Sequence, residues 1–300
     1  RVAARYLTAA TGLTMWEVKN DPAKARDLYR SVYDKIRIKD ATGRDMAWVE
    51  SACNLENKWW RSNSHIRPLL IEVLDLLKEL DIDEETLVLF NADNGAETVH
   101  VDWMRQDHDH DASGGWRGMK RDGWEGGHRV PFIARWPGRI PKGQVSKQMT
   151  NTTDIMATIA SLVGYKLPDD AATDSFDMLP VMIGRQGEKN PVRPHLLTQS
   201  FRGEFQIRKG NWKYLDHKGS GGNGYEKGNL KKYSLNENEP KAPGQLYNLT
   251  TDPGETANLY FKEETIRLEM QKLLKRLKES GRSAPLGREP IGMAGIPKAK

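Results

Sequence analysis

The chain has 300 residues, of which 37% are hydrophobic and 29% charged, and a net charge of +5, a composition typical of a globular protein. No stretch approaches the roughly 20 apolar residues of a membrane span, no signal-peptide layout opens the chain, and the single cysteine, Cys53, excludes an internal disulfide and a Cys-based zinc site. Residues 201–300 carry 19 Lys and Arg against 12 Asp and Glu, which favours a solvated basic surface over nucleic-acid binding because no recognised nucleic-acid module accompanies the charge.

Residues 1–60 show no clear periodicity. From Ile66 to Leu80, apolar residues recur at helical spacing, which predicts an amphipathic helix. Two continuous apolar runs follow, Thr86 to Phe90 and Val130 to Trp136, and both are typical of buried strands in a parallel sheet. This order of elements predicts an α/β fold.

A second amphipathic helix follows and ends at Gly164. Its predicted inward face consists of Ile155, Ile159, Leu162 and Val163.

The pattern changes after Pro194. The segments FQIRKGNWKYLDH and GQLYNLTTDPGE predict short antiparallel strands, and the Gly-rich polar stretch between them predicts a mobile loop. A final helix, ending at Gly281, is predicted with its inward face formed by Ile266, Met270, Leu273, Leu274 and Leu277.

The first of the two predicted strands ends in Asp93-Asn94-Gly95. In open α/β sheets ligands bind beyond the carboxyl ends of the strands, where this tripeptide lies. A carboxylate and an amide carbonyl suit a hard divalent cation such as Ca²⁺ or Mg²⁺, whereas an ordinary strand-ending Asx turn is the simpler alternative.

A second motif, GGWRGMKRDGWEGGHRVP, precedes the other strand. Lys120 lies before a Glu125-Gly126-Gly127 turn whose glycines permit close backbone approach, so its ammonium could reach a tetrahedral anion. A lysine near glycines is otherwise most often exposed to solvent.

Together these motifs resemble the sulfatases of the alkaline-phosphatase-like superfamily. That family shows a strand ending in Asp-Asn-Gly, then a lysine five residues before the Glu of Glu-Gly-Gly-x-Arg-Val-Pro, as here from Asp93 to Pro131. The segments RWPGRIPKG, TDIMATIASLVG, QIRKGNWKY and QLYNLTTDPGETANL follow in the family's order, so the resemblance covers roughly Ile66 to Arg282.

The resemblance implies a partial alkaline-phosphatase-like α/β/α sandwich and a small C-terminal subdomain. It divides the chain into a poorly matched N-terminal region (1–60), the C-terminal part of the sulfatase α/β domain (61–195), an antiparallel sheet plus helix (196–282) and a flexible tail (283–300).

The resemblance also implies hydrolysis of aryl or carbohydrate sulfate esters. In such enzymes Ca²⁺ (Mg²⁺ less favourably) binds a hydrated formylglycine, made from Cys or Ser, which attacks sulfur. Carried over by position, Asp93 and Asn94 are metal ligands, and Lys120 is the catalytic residue that binds the sulfate group. The expected partner is a sulfated small molecule or glycan. Periplasmic or secreted location is usual for the family.

The nucleophile motif of the family, Cys/Ser-x-Pro-Ser/Ala-x-Arg, is missing. Cys53 lies in SACNLENK, without the proline and arginine, and Ser283 to Arg288 only imitates the spacing. The family's paired N-terminal aspartates are missing too. The sequence therefore predicts the C-terminal portion of a sulfatase, without its formylglycine.

Two other functions stay open: a non-catalytic anion- or glycan-binding protein, and a related phosphoryl or phosphonate hydrolase using Zn²⁺ or Mn²⁺. Lesser candidates are the His108 to Asp111 cluster for metal, His65 and His128 for proton transfer, and Trp116 with Trp124 as a wall for a ring.

Overall fold

A computed structural model describes residues 38–39, 45–46 and 66–296. The chain divides into two compact units, one formed by Arg1–Phe90, Ile133–Lys142 and Lys298–Lys300, the other by Asn91–Phe132 and Gly143–Pro297. Cys53 and His65 lie outside the described residues. Within residues 66–296, no helix is long and apolar enough to cross a lipid bilayer.

The first unit contains the predicted helix and most of both predicted strands. Helix α1 (Ile66–Glu79) confirms the apolar periodicity. Strand β3 (Val88–Asn91) pairs with β4 (Phe132–Arg135), so both predicted strands exist, each slightly shorter than the apolar run that predicts it. A short antiparallel pair, β1 (Ile38–Lys39) and β2 (Asp45–Met46), precedes them.

A two-pronged ion pair joins β4 to the turn before β3. Arg135 donates to both carboxylate oxygens of Asp83, at 2.7 and 3.0 Å, and the indole of Trp136 donates to the Glu84 carbonyl at 2.7 Å. These contacts hold the β4 end and the turn together inside the first unit.

The second unit contains the remaining α-helices and strands in chain order. They are α2 (Thr98–His108), α3 (Glu125–His128), α4 (Asp154–Leu162), α5 (Leu179–Met182), β5 (Leu196–Gln199), β6 (Phe205–Lys209), β7 (Trp212–Leu215), β8 (Gln245–Asn248) and α6 (Glu264–Ser280). Strands β5 to β8 form an antiparallel sheet in sequential order; the short alternating segments predict β6, β7 and β8, and β5 is an additional strand.

The register of this sheet separates two faces. Ile207 lies opposite Tyr214, and Tyr214 opposite Leu246, so these apolar side chains share one face and pack against α6. The predicted inward residues of α6 lie in or against this core, and Gly281 ends the helix with a φ of 63°.

The other face of the sheet is also buried, although it carries polar residues. Lys213 lies opposite Arg208 and Tyr247 on this face and is only 2% exposed. Trp124 and Tyr225 pack against the same face with Leu215 and Tyr247. A charged side chain is therefore enclosed between the sheet and the segment that contains Trp124.

The predicted inward face of α4 is wrong at two of its four residues, since Ile155 and Leu162 are partly buried. Ile159 and Val163 are exposed, whereas Asp154, Thr158 and Ser161 are buried. Helix α4 turns its polar side inward because those polar groups have buried partners: the Thr158 hydroxyl, for example, accepts a hydrogen bond from the Met178 amide.

The strongest partner of that face is Arg193, which is 1% exposed. Its guanidinium binds both carboxylate oxygens of Asp154 and lies over the Phe176 ring. The remaining capacity of Asp154 is filled by the amides of Asn151 and Phe176. A buried pair satisfied this completely fixes the orientation of α4.

Residues 283–296 make specific contacts, although the sequence leads us to expect a flexible tail. Arg288 donates to the carbonyls of Ala171, Ala172 and Ser175, and the Ile291 amide donates to the Ser161 hydroxyl. Hydrophobic periodicity does not reveal such contacts, because a guanidinium group that donates to backbone carbonyls makes them.

Arg193→Met is expected to destabilise the second unit by about 3–5 kcal/mol, because it leaves the Asp154 carboxylate buried without its cation. The matched control is Lys275→Met, which removes an exposed pair with Glu279 at 3.8 Å and should cost about 0.5 kcal/mol or less. Urea unfolding followed by tryptophan fluorescence measures both. Equal midpoints for the two variants would contradict the assigned role of Arg193.

Candidate functional site

The Asp93-Asn94 turn follows β3 directly and lies in the second unit. Asp93 is exposed, and the Asn94 amide nitrogen donates to the Gly95 carbonyl at 3.0 Å. That bond uses the nitrogen of Asn94 and leaves its side-chain oxygen able to accept. The turn thus offers a carboxylate and an amide oxygen side by side.

Gly95 attaches this turn to the Glu-Gly-Gly turn. Its amide donates to the Gly127 carbonyl at 3.0 Å, and a Cβ on Gly95 would lie 1.8 Å from the Gly126 carbonyl oxygen. Gly126 is equally crowded, since a Cβ there would lie 2.2 Å from the Gly118 carbonyl oxygen. Only glycines permit this approach of one backbone to another, which explains the glycine in each motif.

Lys120 belongs to the same assembly. Its amide donates to the Ala96 carbonyl at 2.9 Å, which places its backbone beside the segment that follows Asn94. Its ammonium lies 3.5 Å from a carboxylate oxygen of Glu97, and among the described residues Glu97 is the one carboxylate within 4 Å of it. The structure thus brings the Lys120 backbone close to the Asp93-Asn94 turn, while the ammonium faces Glu97.

The sequence patterns do not predict a role for Glu97. It caps α2 by accepting from the Thr98 amide at 3.0 Å, and Arg121 binds both of its oxygens at 2.5 and 3.0 Å. The hydrogen bond from Arg121 outweighs the effect of burial and lowers the pKa of Glu97 to about 2. Glu97 is therefore anionic and carries two cationic neighbours, Arg121 and Lys120. An acidic residue at the start of a helix is the sequence signal that points to Glu97, because it complements the helix dipole.

Glu125 joins the Glu-Gly-Gly turn to the buried polar face of the sheet. Its carboxylate accepts from Lys213 at 3.0 Å, from Arg208 at 3.1 Å and from Arg129 at 3.1 Å. Burial alone would raise the pKa of Glu125, but these three cations, Lys213 first, lower it to about 2. The turn is thus held by a buried ionised carboxylate.

A second buried carboxylate, Glu255, completes this network. One of its oxygens accepts from the Glu125 amide at 2.6 Å, and the other lies 3.2 Å from the Lys213 ammonium. Complete burial, with repulsion from Glu125, raises the pKa of Glu255 to about 7 despite the opposing attraction of Lys213. Glu255 also has a φ of 51°, a left-handed conformation that costs free energy outside glycine.

Asp122 anchors the loop between β7 and β8 to the Lys120 segment. Its buried carboxylate accepts from the amides of Met119 and Asn223, at 2.9 and 2.8 Å, and from the Tyr225 hydroxyl. Asn223 also donates to the Lys120 carbonyl at 2.9 Å. The sequence reading predicts a mobile loop here, and nothing in its polar composition reveals these specific anchors.

The described residues of the His108-to-Asp111 segment form no metal cluster, and the His108 side chain lies outside the part of the chain that the structure describes. Asp111 instead binds Arg105 at 2.8 Å and accepts from the amides of Ser113 and Gly115, so it stabilises its own loop. No group of three or more His, Cys, Asp or Glu side chains within residues 66–296 is arranged to hold a metal ion. His128 is largely buried, and this burial, followed by repulsion from Lys213, lowers its pKa to about 4.

The two tryptophans proposed as a ring-binding wall have separate environments. Trp124 is buried, donates to the Gln245 side chain at 3.0 Å and lies beneath the Arg117 guanidinium. Trp116 packs against the Arg129 guanidinium, 3.8 Å from its ring centre. Trp124 therefore belongs to the core, and Trp116 forms a cation–π contact with the Glu-Gly-Gly-x-Arg motif.

Asp93 and Asn94 fit a hard cation by the chemistry of their donors, since both present oxygen. Ca²⁺ takes six to eight oxygen ligands, so these two residues would supply only part of a shell. The described residues therefore fit the role of partial ligands to such an ion.

Comparison with known proteins identifies the family. Residues 57–165 match the family model described as Sulfatase. The chain is 30% identical over 214 residues to an N-acetylgalactosamine-6-O-sulfatase of Bacteroides thetaiotaomicron, an alignment that covers 69% of this chain and 39% of that protein. It is 34% identical over 200 residues to arylsulfatase A of Homo sapiens, covering 62% of this chain and 36% of that protein. The chain thus spans less than half the length of these relatives.

Solved structures show the same fold. One, from work on the metabolism of multiple glycosaminoglycans by Bacteroides thetaiotaomicron, aligns at a TM-score of 0.58 and 26% identity, over 72% of this chain and 43% of that chain. A sulfatase of Pseudoalteromonas sp. aligns at 0.52 and 24% identity, over 74% and 42% of the two chains. The class is therefore an α/β protein of alkaline-phosphatase-like fold with an antiparallel C-terminal sheet, as predicted. Within that class, the chain belongs to the sulfatase family.

Gly95→Ala is expected to destabilise the second unit by about 1–3 kcal/mol or more, because the added methyl group meets the Gly126 carbonyl oxygen at 1.8 Å. The matched control is Gly187→Ala, where a Cβ meets nothing within 4 Å. That control should change stability by no more than about 0.5 kcal/mol. Thermal and urea unfolding measure both variants. A Gly95→Ala protein as stable as the control would contradict the close approach of the two turns.

The raised pKa of Glu255 predicts a specific pH dependence. The folded chain binds this proton more tightly than the unfolded chain, so the stabilisation is present below about pH 4.5 and is lost as pH rises towards 7. Urea unfolding of wild type and Glu255→Gln at pH 5 and pH 9 isolates this contribution. The free-energy difference between the two proteins should shift by about 3 kcal/mol in favour of the variant as pH rises. A constant difference across this range would show that Glu255 titrates normally.

Proposed function

We propose that this chain forms the cation- and sulfate-binding part of a sulfuric ester hydrolase acting on carbohydrate or aryl sulfates. The single observation that carries the proposal is the direct backbone contact between the Asp93-Asn94-Gly95 turn and the Lys120-to-Gly127 segment. This contact supports a shared site for a cation and an anion. The names of the relatives, which include an N-acetylgalactosamine-6-O-sulfatase, favour a sulfated glycan.

In this proposal Asp93 and Asn94 hold Ca²⁺ through their side-chain oxygens. The cation, when bound, would polarise the sulfate group and stabilise negative charge on its oxygens. Lys120 binds the sulfate oxygens through its ammonium, which needs no proton transfer to do so. A preplaced donor of this kind typically lowers a reaction barrier by about 3–4 kcal/mol.

We assign the nucleophile to a part of the protein outside these motifs. The sequence holds no Cys/Ser-x-Pro-Ser/Ala-x-Arg match, and Cys53 has neither the proline nor the arginine. We therefore infer that a formylglycine, together with further metal ligands, comes from another part of a longer protein. The purified chain should then bind sulfate but not release nitrophenol from 4-nitrophenyl sulfate. Turnover above the uncatalysed rate would contradict this assignment.

Lys120→Met is expected to weaken binding of inorganic sulfate at least tenfold, because the side chain keeps its stem but loses its charge. Isothermal titration calorimetry in the presence of calcium measures the affinity. Lys147→Met, at an exposed lysine, is the matched control and should bind sulfate as the wild type does. Equal sulfate affinity in the Lys120 variant and the wild type would refute the role of Lys120.

The same titrations separate the two alternative functions. Preference for phosphate over sulfate, with zinc or manganese replacing calcium, would favour a phosphoryl hydrolase. For a non-catalytic glycan-binding protein, tight binding of a sulfated glycan that survives Asp93→Ala and calcium removal is the expected result.

A further inference from the structure

Among the described residues, Thr98 and Arg121 donate the hydrogen bonds that the Glu97 carboxylate accepts. One oxygen accepts from the Thr98 amide at 3.0 Å, from the Thr98 hydroxyl at 3.1 Å and from Arg121 at 2.5 Å. The other oxygen accepts from the second guanidinium nitrogen of Arg121 at 3.0 Å. A two-pronged arginine contact of this kind is the strongest pairing that a carboxylate makes with a side chain.

The Lys120 ammonium is near this carboxylate but is not hydrogen-bonded to it. Its distance to the Glu97 oxygen is 3.5 Å, and its side chain is 37% exposed. An ammonium carries three donors. Lys120 can therefore turn its donors towards an incoming anion without breaking a hydrogen bond to Glu97.

The backbone of Arg121 has a strained conformation that neighbouring loops hold in place. Its φ of 88° lies in the left-handed region, which costs a non-glycine residue about 1–3 kcal/mol. The Phe201 amide donates to the Arg121 carbonyl at 2.9 Å, and Gly222 packs so closely that a Cβ there would lie 2.2 Å from that carbonyl oxygen. The surrounding loops thus impose this conformation.

The backbone conformation of Arg121 affects where the side chains of Lys120 and Arg121 point. Lys120 and Arg121 are consecutive, yet both reach the same carboxylate. Strain at a residue beside a binding group is a reason to look for a role in that binding. The unequal contacts, two short bonds for Arg121 and one long approach for Lys120, indicate what the role is.

We propose that Arg121 is a positioning residue that occupies the Glu97 carboxylate and so keeps the Lys120 ammonium available for a sulfate group. This inference rests on the proposed role of Lys120 in sulfate binding. Without the guanidinium, the Glu97 oxygen next to Lys120 would lose the hydrogen bond that it accepts from Arg121. A direct hydrogen-bonded pair between them would then compete with sulfate for the ammonium.

The test is a double-mutant cycle on the full 300-residue chain, read as the dissociation constant of inorganic sulfate. Arg121→Met should weaken sulfate binding about tenfold, because Glu97 then captures Lys120. Glu97→Gln should bind sulfate at least as tightly as the wild type. The double variant should recover the affinity that Arg121→Met loses, because no carboxylate remains to compete.

Two further variants sharpen the cycle. Arg121→Lys keeps the charge but cannot bind both oxygens, so its affinity should lie between those of wild type and Arg121→Met. Arg135→Met removes an equivalent two-pronged contact, with Asp83 in the other unit, and should leave sulfate binding unchanged. NMR of ¹³Cε-labelled lysine, with the Lys120 signal assigned by Lys120→Arg, reports whether the ammonium itself responds to sulfate.

The outcomes separate this inference from the proposed function. If the wild-type chain binds no sulfate, or if Lys120→Met binds it normally, the role of Lys120 fails and the inference fails with it. If Lys120→Met loses binding but the double variant stays as weak as Arg121→Met, Arg121 is merely structural and only this inference is overturned. Wild-type affinity in Arg121→Lys would overturn the importance of the two-pronged contact.

Discussion

The buried carboxylate of Glu125 is the contact on which the geometry of the site depends. Lys213, Arg208 and Arg129 converge on it, and Lys213 also approaches Glu255. Removing one member of such a network leaves a buried charge without a partner. This destabilises a protein far more than replacing the whole pair with apolar residues does. The Glu-Gly-Gly turn is therefore fixed to the antiparallel sheet by electrostatics, on the face opposite the apolar core.

Once that turn is fixed, the neighbouring backbone segments have little freedom. Gly95 can approach the turn only because neither segment carries a side chain at the contact, and this approach brings Lys120 beside Ala96. Asp122 secures the same segment from the other direction through the β7–β8 loop. Backbone contacts thus position the proposed cation-binding turn and the proposed sulfate-binding lysine, which leaves their own side chains available for ligands. The backbone around the site is held by these contacts, and the ends of the Asp93, Asn94 and Lys120 side chains can still adjust to a ligand.

Sequence patterns predict the parts of this structure that depend on local periodicity or on a dense motif. The helices α1 and α6 and the strands β3, β4, β6, β7 and β8 follow from spacing alone, whereas β5 was not predicted. Burial of polar residues does not follow in that way. The inward face of α4 was predicted wrongly at Ile159 and Val163, because Asp154 binds a partner, Arg193, that lies 39 residues later. Sequence patterns do not reveal Lys213 and Glu97 for the same reason, because the partners of both residues are distant in sequence. A charged residue considered with its sequence neighbours alone suggests only a solvated surface.

The central claim, that one pocket in this chain takes a cation at Asp93 and Asn94 and an anion at Lys120, is most directly tested by a crystal structure with calcium and sulfate. The account predicts a cation bonded to the side-chain oxygens of both Asp93 and Asn94. It also predicts a sulfate oxygen about 3 Å from the Lys120 nitrogen, with Arg121 still bound to Glu97. Sulfate bound elsewhere, or a Lys120 ammonium that stays on Glu97 while sulfate occupies Arg121, would contradict it.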